Sequence, residues 1–326
     1  MKRTFLFTVI ALVLFAAASS PAAAAVTIKM GNVLNPDHNW NVCLNGFAED
    51  VKKETGGRVI VQVFPSAQLG NEKDLIEGLA MKTVDGGLIG GDSFTILEPK
   101  MGIEALPYAW PTHEAVYSAY DGKLGDELLK LLAKRGVVGL AWWENGFRQL
   151  TNDKKPIVKP SDLKGMKIRV TLDKVRMDTF KALGASPVPI NFSELYSALQ
   201  QKVVDGQENP FSIIYSNAFY EVQKYLSLSG HIWGSALLCV NENVWKQLSP
   251  ADQKTFAKLA KKWRDEQRRQ TMQQEKEFLA KLKEKGMKVN EVDKPAFKKA
   301  VAEVWKKYEP EFGKELVDLV RQYGSK

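Results

Sequence analysis

Two arginines and a serine are the residues whose type and setting best suit them to chemistry. Arg169 lies in Gly165-Met166-Lys167-Ile168-Arg169-Val170, where Ile168 and Val170 alternate with charged positions. With that apolar pair facing the sheet packing, Arg169 emerges on the other side near the carboxyl end of a strand. Open α/β sheets place their ligands there. Arg148 follows the aromatic run Trp142-Trp143 and the Asn145-Gly146 turn. A guanidinium donates two parallel hydrogen bonds from a planar fork, which suits a carboxylate. Such a charged contact contributes about 1.5–3 kcal/mol, enough to decide the class of ligand. By residue type alone, each arginine fits a solvated surface as well as an anion site.

The serine is Ser93, in Gly91-Asp92-Ser93-Phe94, which invites comparison with hydrolases of the GDS type. Those need a histidine presented by a late D-x-x-H. Position 228, three before His231, is Leu, and no histidine follows. Without a base the hydroxyl stays protonated and unreactive. The chain has no G-x-S-x-G, H-E-x-x-H, G-x-x-x-x-G-K-[ST] or G-x-G-x-x-G, so hydrolytic, metalloprotease and nucleotide chemistry find no motif. Cys43 and Cys239 are the only thiols and His38, His113 and His231 the only histidines. Neither cysteine has a histidine close in sequence, so no metal site and no cofactor are expected. Both cysteines sit in apolar stretches and read as buried free thiols, although the expected compartment permits a disulfide.

The elements that must position these residues alternate. Val26–Gly31 and 58–64 read as strands, 41–55 and 72–82 as helices, and 87–90, 136–143 and 166–170 as further strands. Asn191, with Glu194 three residues on, reads as the capping box of another helix. The class is α/β. Leu79-x-x-Lys82-x-Val84-Asp85-Gly86 recurs as Leu199-x-x-Lys202-x-Val204-Asp205-Gly206. The echo predicts two lobes of like construction, each delivering a loop to a shared cleft. Ser249-Pro250-Ala251-Asp252 starts a helix, and no Gly or Pro interrupts it before Gly286. At 1.5 Å per residue that is about 54 Å of helix, longer than the 35–40 Å or so of one lobe. One helix therefore packs on the first lobe, crosses open ground through the polar stretch 264–274, and packs on the second.

Lys2 and Arg3 precede an apolar run over 5–18, and Ala22-Ala23-Ala24-Ala25 offers a cleavage site before Val26. Residues 1–25 thus read as a secretory signal peptide. No cysteine at that site could carry lipid, so the mature protein is expected free in the periplasm. The formal net charge is +8, but bases and acids interleave along the helices, as on solvated faces. A mild positive field that attracts organic anions is expected, not nucleic-acid binding. No later segment is long and apolar enough to span a membrane.

Six further stretches carry a resemblance. Arg148-Gln149-Leu150-Thr151-Asn152, 163–170, Gly184-Ala185-Ser186-Pro187-Val188-Pro189, 192–200, Val204-Asp205-Gly206-Gln207-Glu208-Asn209-Pro210 and Phe64-Pro65-Ser66-Ala67-Gln68-Leu69-Gly70 resemble the DctP-type substrate-binding subunits of TRAP transporters. The likeness covers essentially the whole mature chain. It implies a two-lobed periplasmic binding fold of type II-like build, with a long helix bracing both lobes. It implies Arg169 as the carboxylate clamp, Arg148 as its assistant, Asn209 as an amide reaching the same carboxylate, Phe192 as a pocket wall, and Glu72 touching ligand hydroxyls from the other lobe. His38, Asn39 and Trp40 of the first loop, and His231 and Trp233 near the hinge, are further candidates. Trp40 and Trp233 fit the core equally well, and His38 fits a helix cap.

The resemblance also implies a non-enzymatic monomer that passes a small organic acid to an ion-gradient-driven, two-part permease without ATP. The lobes are expected at 26–147 with about 235–270, and at 148–234 with about 271–326. Gly90, Leu172 and Asp173 depart from sialic-acid binders. A uronate or other sugar acid, a C4-dicarboxylate and an aromatic or branched acid all remain open, and two tryptophans near the pocket favour something larger than succinate. A GDS-type hydrolase and a binding protein that feeds a sensor are the alternatives.

Overall fold

The computed structural model describes residues 25–325, so the expected signal peptide lies outside the described residues. Among the described residues eleven strands are formed: β1 (Val26–Gly31), β2 (Val59–Phe64), β3 (Gly86–Gly90), β4 (Val137–Phe147), β5 (Gln149–Asn152), β6 (Lys167–Val170), β7 (Ser186–Pro189), β8 (Gly206–Asn209), β9 (Tyr225–Leu228), β10 (Trp233–Asn241) and β11 (Lys288–Glu291). They make two sheets, ordered β2-β1-β3-β10-β4 and β11-β9-β5-β8-β6-β7. In the first, β2, β1 and β3 run parallel and β10 joins antiparallel. In the second, β7, β6 and β8 run parallel and β5 joins antiparallel. The two lobes are built alike.

The sequence echo falls on equivalent positions of the two sheets. Lys82 and Lys202 both take left-handed backbone where their helices stop, at φ 65° and 59°. Asp85 then accepts the backbone N–H of Lys29 at 3.0 Å, and Asp205 accepts that of Lys167 at 2.9 Å. Each aspartate thereby pins the new strand beside the preceding parallel one. β3 runs on to Asp92 and Ser93, and β8 ends at Asn209. Both ends face the space between the lobes.

Three of the connections between the lobes flank the site. Arg148 joins β4 to β5, and residues 229–232 join β9 to β10. The Arg148 N–H donates to the Ile232 carbonyl at 2.9 Å, tying these two together. The third is the brace helix, Pro250–Glu284, whose N-cap Ser249 accepts the Asp252 N–H at 3.1 Å. Its first half buries Phe256, Leu259 and Ala260, with Phe256 edge-on to Phe47 at 4.9 Å. Its far end sets Phe278 against Tyr215 at 5.1 Å and buries Leu282.

Several expectations need correction. The polar middle of the brace does not cross open ground, because Gln267 is fully buried and Arg268 nearly so. Gln267 Nε2 donates to the Glu144 carbonyl at 2.9 Å, and Arg268 Nη1 pairs with Asp121 at 2.7 Å. These side chains replace solvent with fixed partners. Residues beyond 300 were expected with the second lobe but join both. Tyr308 donates to Asp178 there at 2.7 Å, while Trp305 donates to the Pro107 carbonyl of the first lobe at 2.9 Å. Asn191 makes no capping hydrogen bond; its amide donates instead to Glu194 Oε1 at 3.1 Å. Cys43 and Cys239 are buried and free. Among the described residues no helix is long and apolar enough to cross a membrane, and no cluster could hold a metal ion.

Candidate functional site

Between the lobes lies a small cavity of about 30 Å³, with Trp40, Glu72, Asp92, Arg148, Arg169 and Phe192 among its walls and Asn209 closing one side. Strand geometry delivers Arg169: Ile168 and Val170 point into the core and Arg169 points the other way, itself only 2% exposed. Its Nε donates to the Ile190 carbonyl at 2.8 Å, which fixes the guanidinium plane. Among the described residues no carboxylate pairs with it and its two terminal nitrogens have no hydrogen-bond partner. Phe192 lies under it, with the guanidinium carbon 5.9 Å from the ring centroid. Burial, then the neighbouring Arg148, pull the Arg169 pKa down to about 10. Glu208 and Glu72 act on it only from beyond ion-pair distance, and a buried cation without a paired anion is costly.

Arg148 is bound differently. Its Nε donates to Glu208 Oε2 at 2.5 Å, and its Nη2 to Glu208 Oε1 and Asn209 Oδ1, each at 2.9 Å. Glu208 is wholly buried and also receives Arg176 Nη1 at 3.0 Å. His231 Nε2 lies 3.2 Å from its other oxygen. Burial alone would raise the Glu208 carboxyl, but Arg148 and then Arg176 outweigh it and hold it well below the usual carboxylate range. The clamp is thus one guanidinium held by a buried carboxylate beside another left free.

The first lobe supplies the opposite wall. Glu72 opens the helix Glu72–Met81, whose N-cap Asn71 forms a capping box with Asp74. It accepts the Ser93 hydroxyl at 3.0 Å. Burial, then the nearby Asp92, raise its pKa. A side chain at Gly90 would come within 3.2 Å of both Glu72 and Asp92, so the glycine leaves room for these acids. Val33, Leu34, Asn145, Thr171 and Ile213 complete the lining.

Six predicted site residues therefore meet at the cavity: Arg169, Arg148, Asn209, Glu72, Phe192 and Trp40. Four do not line it. His38 caps the helix Asn39–Glu54 and its Nε2 meets Ser212 Oγ at 3.2 Å. Asn39 donates to Thr271 of the brace at 2.8 Å. Trp233 donates to Glu144 at 2.8 Å inside the first lobe's core, so only one of the two tryptophans used to favour a larger ligand touches the cavity. His231 stands behind Arg148, reaching it through Glu208 and Ser229. His38 and Asn39 form a cap and a lobe seam, because their polar atoms find partners within the protein. Sequence reasoning missed Glu208, Arg176, Asp92 and Thr171. A run of three polar residues, Gln207-Glu208-Asn209, between the Gly206 turn and Pro210 was the available signal.

Ser93 donates to Glu72, not to a histidine. The three histidines bond elsewhere: His38 with Ser212, His113 with Glu144 and His231 with Glu208 and Ser229. A hydrolytic pair is not assembled.

Residues 30–311 match the family DctP, bacterial extracellular solute-binding protein, family 7. The chain belongs to this family. DctP-type members are binding proteins, and the two-lobed α/β fold described above is theirs. The chain is 32% identical over 287 residues, 88% of each protein, to the 2,3-diketo-L-gulonate-binding periplasmic protein YiaO of Escherichia coli K12. A TRAP periplasmic solute-binding protein of Polaromonas sp. JS666, bound to D-erythronate, superposes with a TM-score of 0.88 at 38% identity, covering 91% of this chain and 98% of that one. The sugar-acid-binding DctP protein of Advenella mimigardefordensis, in complex with galactonate, gives 0.90 at 32% identity over 93% and 98%.

Proposed function

We propose that this DctP-family protein captures a hydroxylated monocarboxylic acid of sugar-acid size in the periplasm and hands it to a TRAP permease. The observation that carries this reading is the buried Arg169 fork, which no carboxylate among the described residues pairs. A ligand carboxylate accepts its two terminal nitrogens, with Arg148 beside it and the Asn209 amide adjoining. Glu72 and Ser93 then face the rest of the molecule with groups that bond hydroxyls. Glu72 disfavours a second carboxylate at that end by like-charge repulsion. The relatives bound to erythronate and galactonate support the same class of ligand. The sheets of 26–147 with 233–241 and of 149–228 with 288–291 move as two bodies about Arg148, 229–232 and the brace, closing over the ligand. Excluding water strengthens the bonds made inside. The leader at residues 1–25 directs export and is removed.

A thermal-shift panel of erythronate, galactonate, galacturonate and succinate tests this on the wild type and on Arg169→Ala. Ligand at about a hundred times its Kd adds about 2.7 kcal/mol of stability. Hydroxylated monocarboxylates should stabilise the wild type more than succinate does, and Arg169→Ala should bind them at least about tenfold more weakly. Stabilisation that survives in Arg169→Ala, or that comes only from uncharged sugars, would overturn the assignment.

A further inference from the structure

Asp92 does more than line the cavity. It stands on the first lobe, in the turn Gly91–Ile96 that follows β3, and is nearly buried. Both partners of its carboxylate come from the second lobe. Thr171, just past β6, donates its hydroxyl to Oδ2 at 3.0 Å. Arg176, in the helix Lys174–Ala182, brings Nη2 to 2.7 Å from the same oxygen. No chain connection joins these segments directly, so the lobes must approach for the contacts to form. Arg176 also holds Glu208 at 3.0 Å through its other terminal nitrogen, and Glu208 holds Arg148. Asp92, Arg176, Glu208 and Arg148 thus form one unbroken line of opposite charges, from the first lobe's turn to the ligand clamp.

The surrounding acids show why this line matters. Glu104 and Asp173 are buried near Asp92, and burial, then Asp92 itself, raise each to about 7. Glu72 feels the same neighbour. Closing the lobes therefore concentrates carboxyl groups from both sides, which opposes closure unless a cation sits among them. Arg176 is that cation, and it belongs to the lobe opposite Asp92.

We propose that Asp92 is the first-lobe half of an interlobe latch. Its contacts with Arg176 and Thr171 favour the closed state and, through Glu208, hold Arg148 in position when the cleft shuts. Asp92 is then a positioning residue acting on closure, not a selector of ligand. This rests on capture by lobe closure, as proposed above.

Two readouts test it on Asp92→Asn and Thr171→Val in the full mature chain: small-angle scattering without ligand, and calorimetric titration with erythronate, galactonate and galacturonate. Asp92→Asn should enlarge the radius of gyration of the ligand-free protein. It should also weaken all three acids by a common factor of about ten, because apparent affinity scales with the population of the competent state. Thr171→Val keeps both charges and should shift both readouts the same way by less. Should Asp92→Asn fail to fold, Thr171→Val alone decides by the same two readouts. Unchanged scattering overturns the latch. So does weakening confined to one acid, which would make Asp92 a direct ligand contact. If the wild type binds none of the acids, the ligand reading fails, while scattering of the ligand-free proteins still decides the latch.

Discussion

Two fully buried glutamates organise this molecule, and they are satisfied in opposite ways. Glu208, behind the cavity, lies between two cations, Arg148 at 2.5 Å and Arg176 at 3.0 Å, with the His231 ring 3.2 Å away. Glu144, at the seam of β4, the brace and the first lobe's helices, is met largely by neutral donors. Trp233 Nε1 reaches Oε1 at 2.8 Å and Tyr117 donates to Oε2. His113 Nε2 approaches Oε1 at 3.1 Å. Its backbone is bonded as well, with the N–H donating to Gln267 at 2.9 Å and the carbonyl accepting Trp40 Nε1 at 2.7 Å. Around Glu144 the donors are used up. Beside Glu208 one guanidinium, Arg169, keeps its terminal nitrogens free. The difference separates a structural hub from the proposed binding site: both are buried polar networks, and only the second has donors left over.

The same substitution at each glutamate sharpens that contrast, and the larger effect belongs to Glu208. Glu208→Gln leaves Arg148, Arg169 and Arg176 together with one balancing charge fewer. Breaking a buried pair in this way costs about 3–5 kcal/mol, so unfolding by denaturant should show a loss of that order. An anionic ligand then partly replaces the missing charge, and the stabilisation it gives at saturation should exceed that of the wild type. A ligand-induced shift equal to the wild type's would show that Glu208 does not belong electrically to the site.

Glu144→Gln should cost less, about 1–3 kcal/mol, because an amide still accepts from some of the same donors while others lose their partner. Here the ligand-induced stabilisation should stay at the wild-type value. A changed shift would mean that the hub and the site are one network, and the comparison would collapse. His113 gives a second handle on the hub. Burial works against its imidazolium, but the hydrogen bond and charge of Glu144, with Glu275 of the brace, outweigh it, and its pKa lies above the ordinary 6.5. Stability from this contact is therefore fully present below pH 6.5 and is lost as pH rises through the shifted value.

Local patterns made much of the fold legible. Ser249-Pro250 announced the brace because a cap and an N-terminal proline act within one turn. The repeated Val-Asp-Gly announced two like lobes because an aspartate pinning one strand beside another is also a short-range device. Arg169 was legible because strand alternation is local. What stayed hidden depended on distant partners: Glu208 meets Arg148 across 60 residues, and Glu144 meets Trp233 across 89. A charged residue inside a polar run carries no mark of burial, and nothing near Asp92 signals that Arg176 waits on the other lobe. The same limit misplaced His231 and Trp233. Their aromatic rings suited a pocket wall, but buried carboxylates had already taken their polar atoms.

His38 offers the smallest break at neutral pH and ties into both regions through Trp40, which lines the cavity with its ring and donates to the Glu144 carbonyl. Nδ1 of His38 accepts the Trp40 N–H at 3.2 Å, so protonation would turn the helix cap's acceptor into a donor. Burial lowers its pKa from 6.5 to about 3. Between those values the unfolded chain binds a proton that the folded chain does not. Stability from this group is therefore complete above pH 6.5 and falls as pH drops below it, by about 1.4 kcal/mol per pH unit. His38→Asn keeps an acceptor at the cap but does not titrate there, so its denaturation curves should lose stability more slowly below pH 6.5 by that amount. Ligand affinity at pH 7 should be unchanged, since His38 does not line the cavity. Equal acid slopes in the two proteins would mean that the cap opens before it is protonated. A loss of affinity at pH 7 would instead make the seam under Trp40 part of the site.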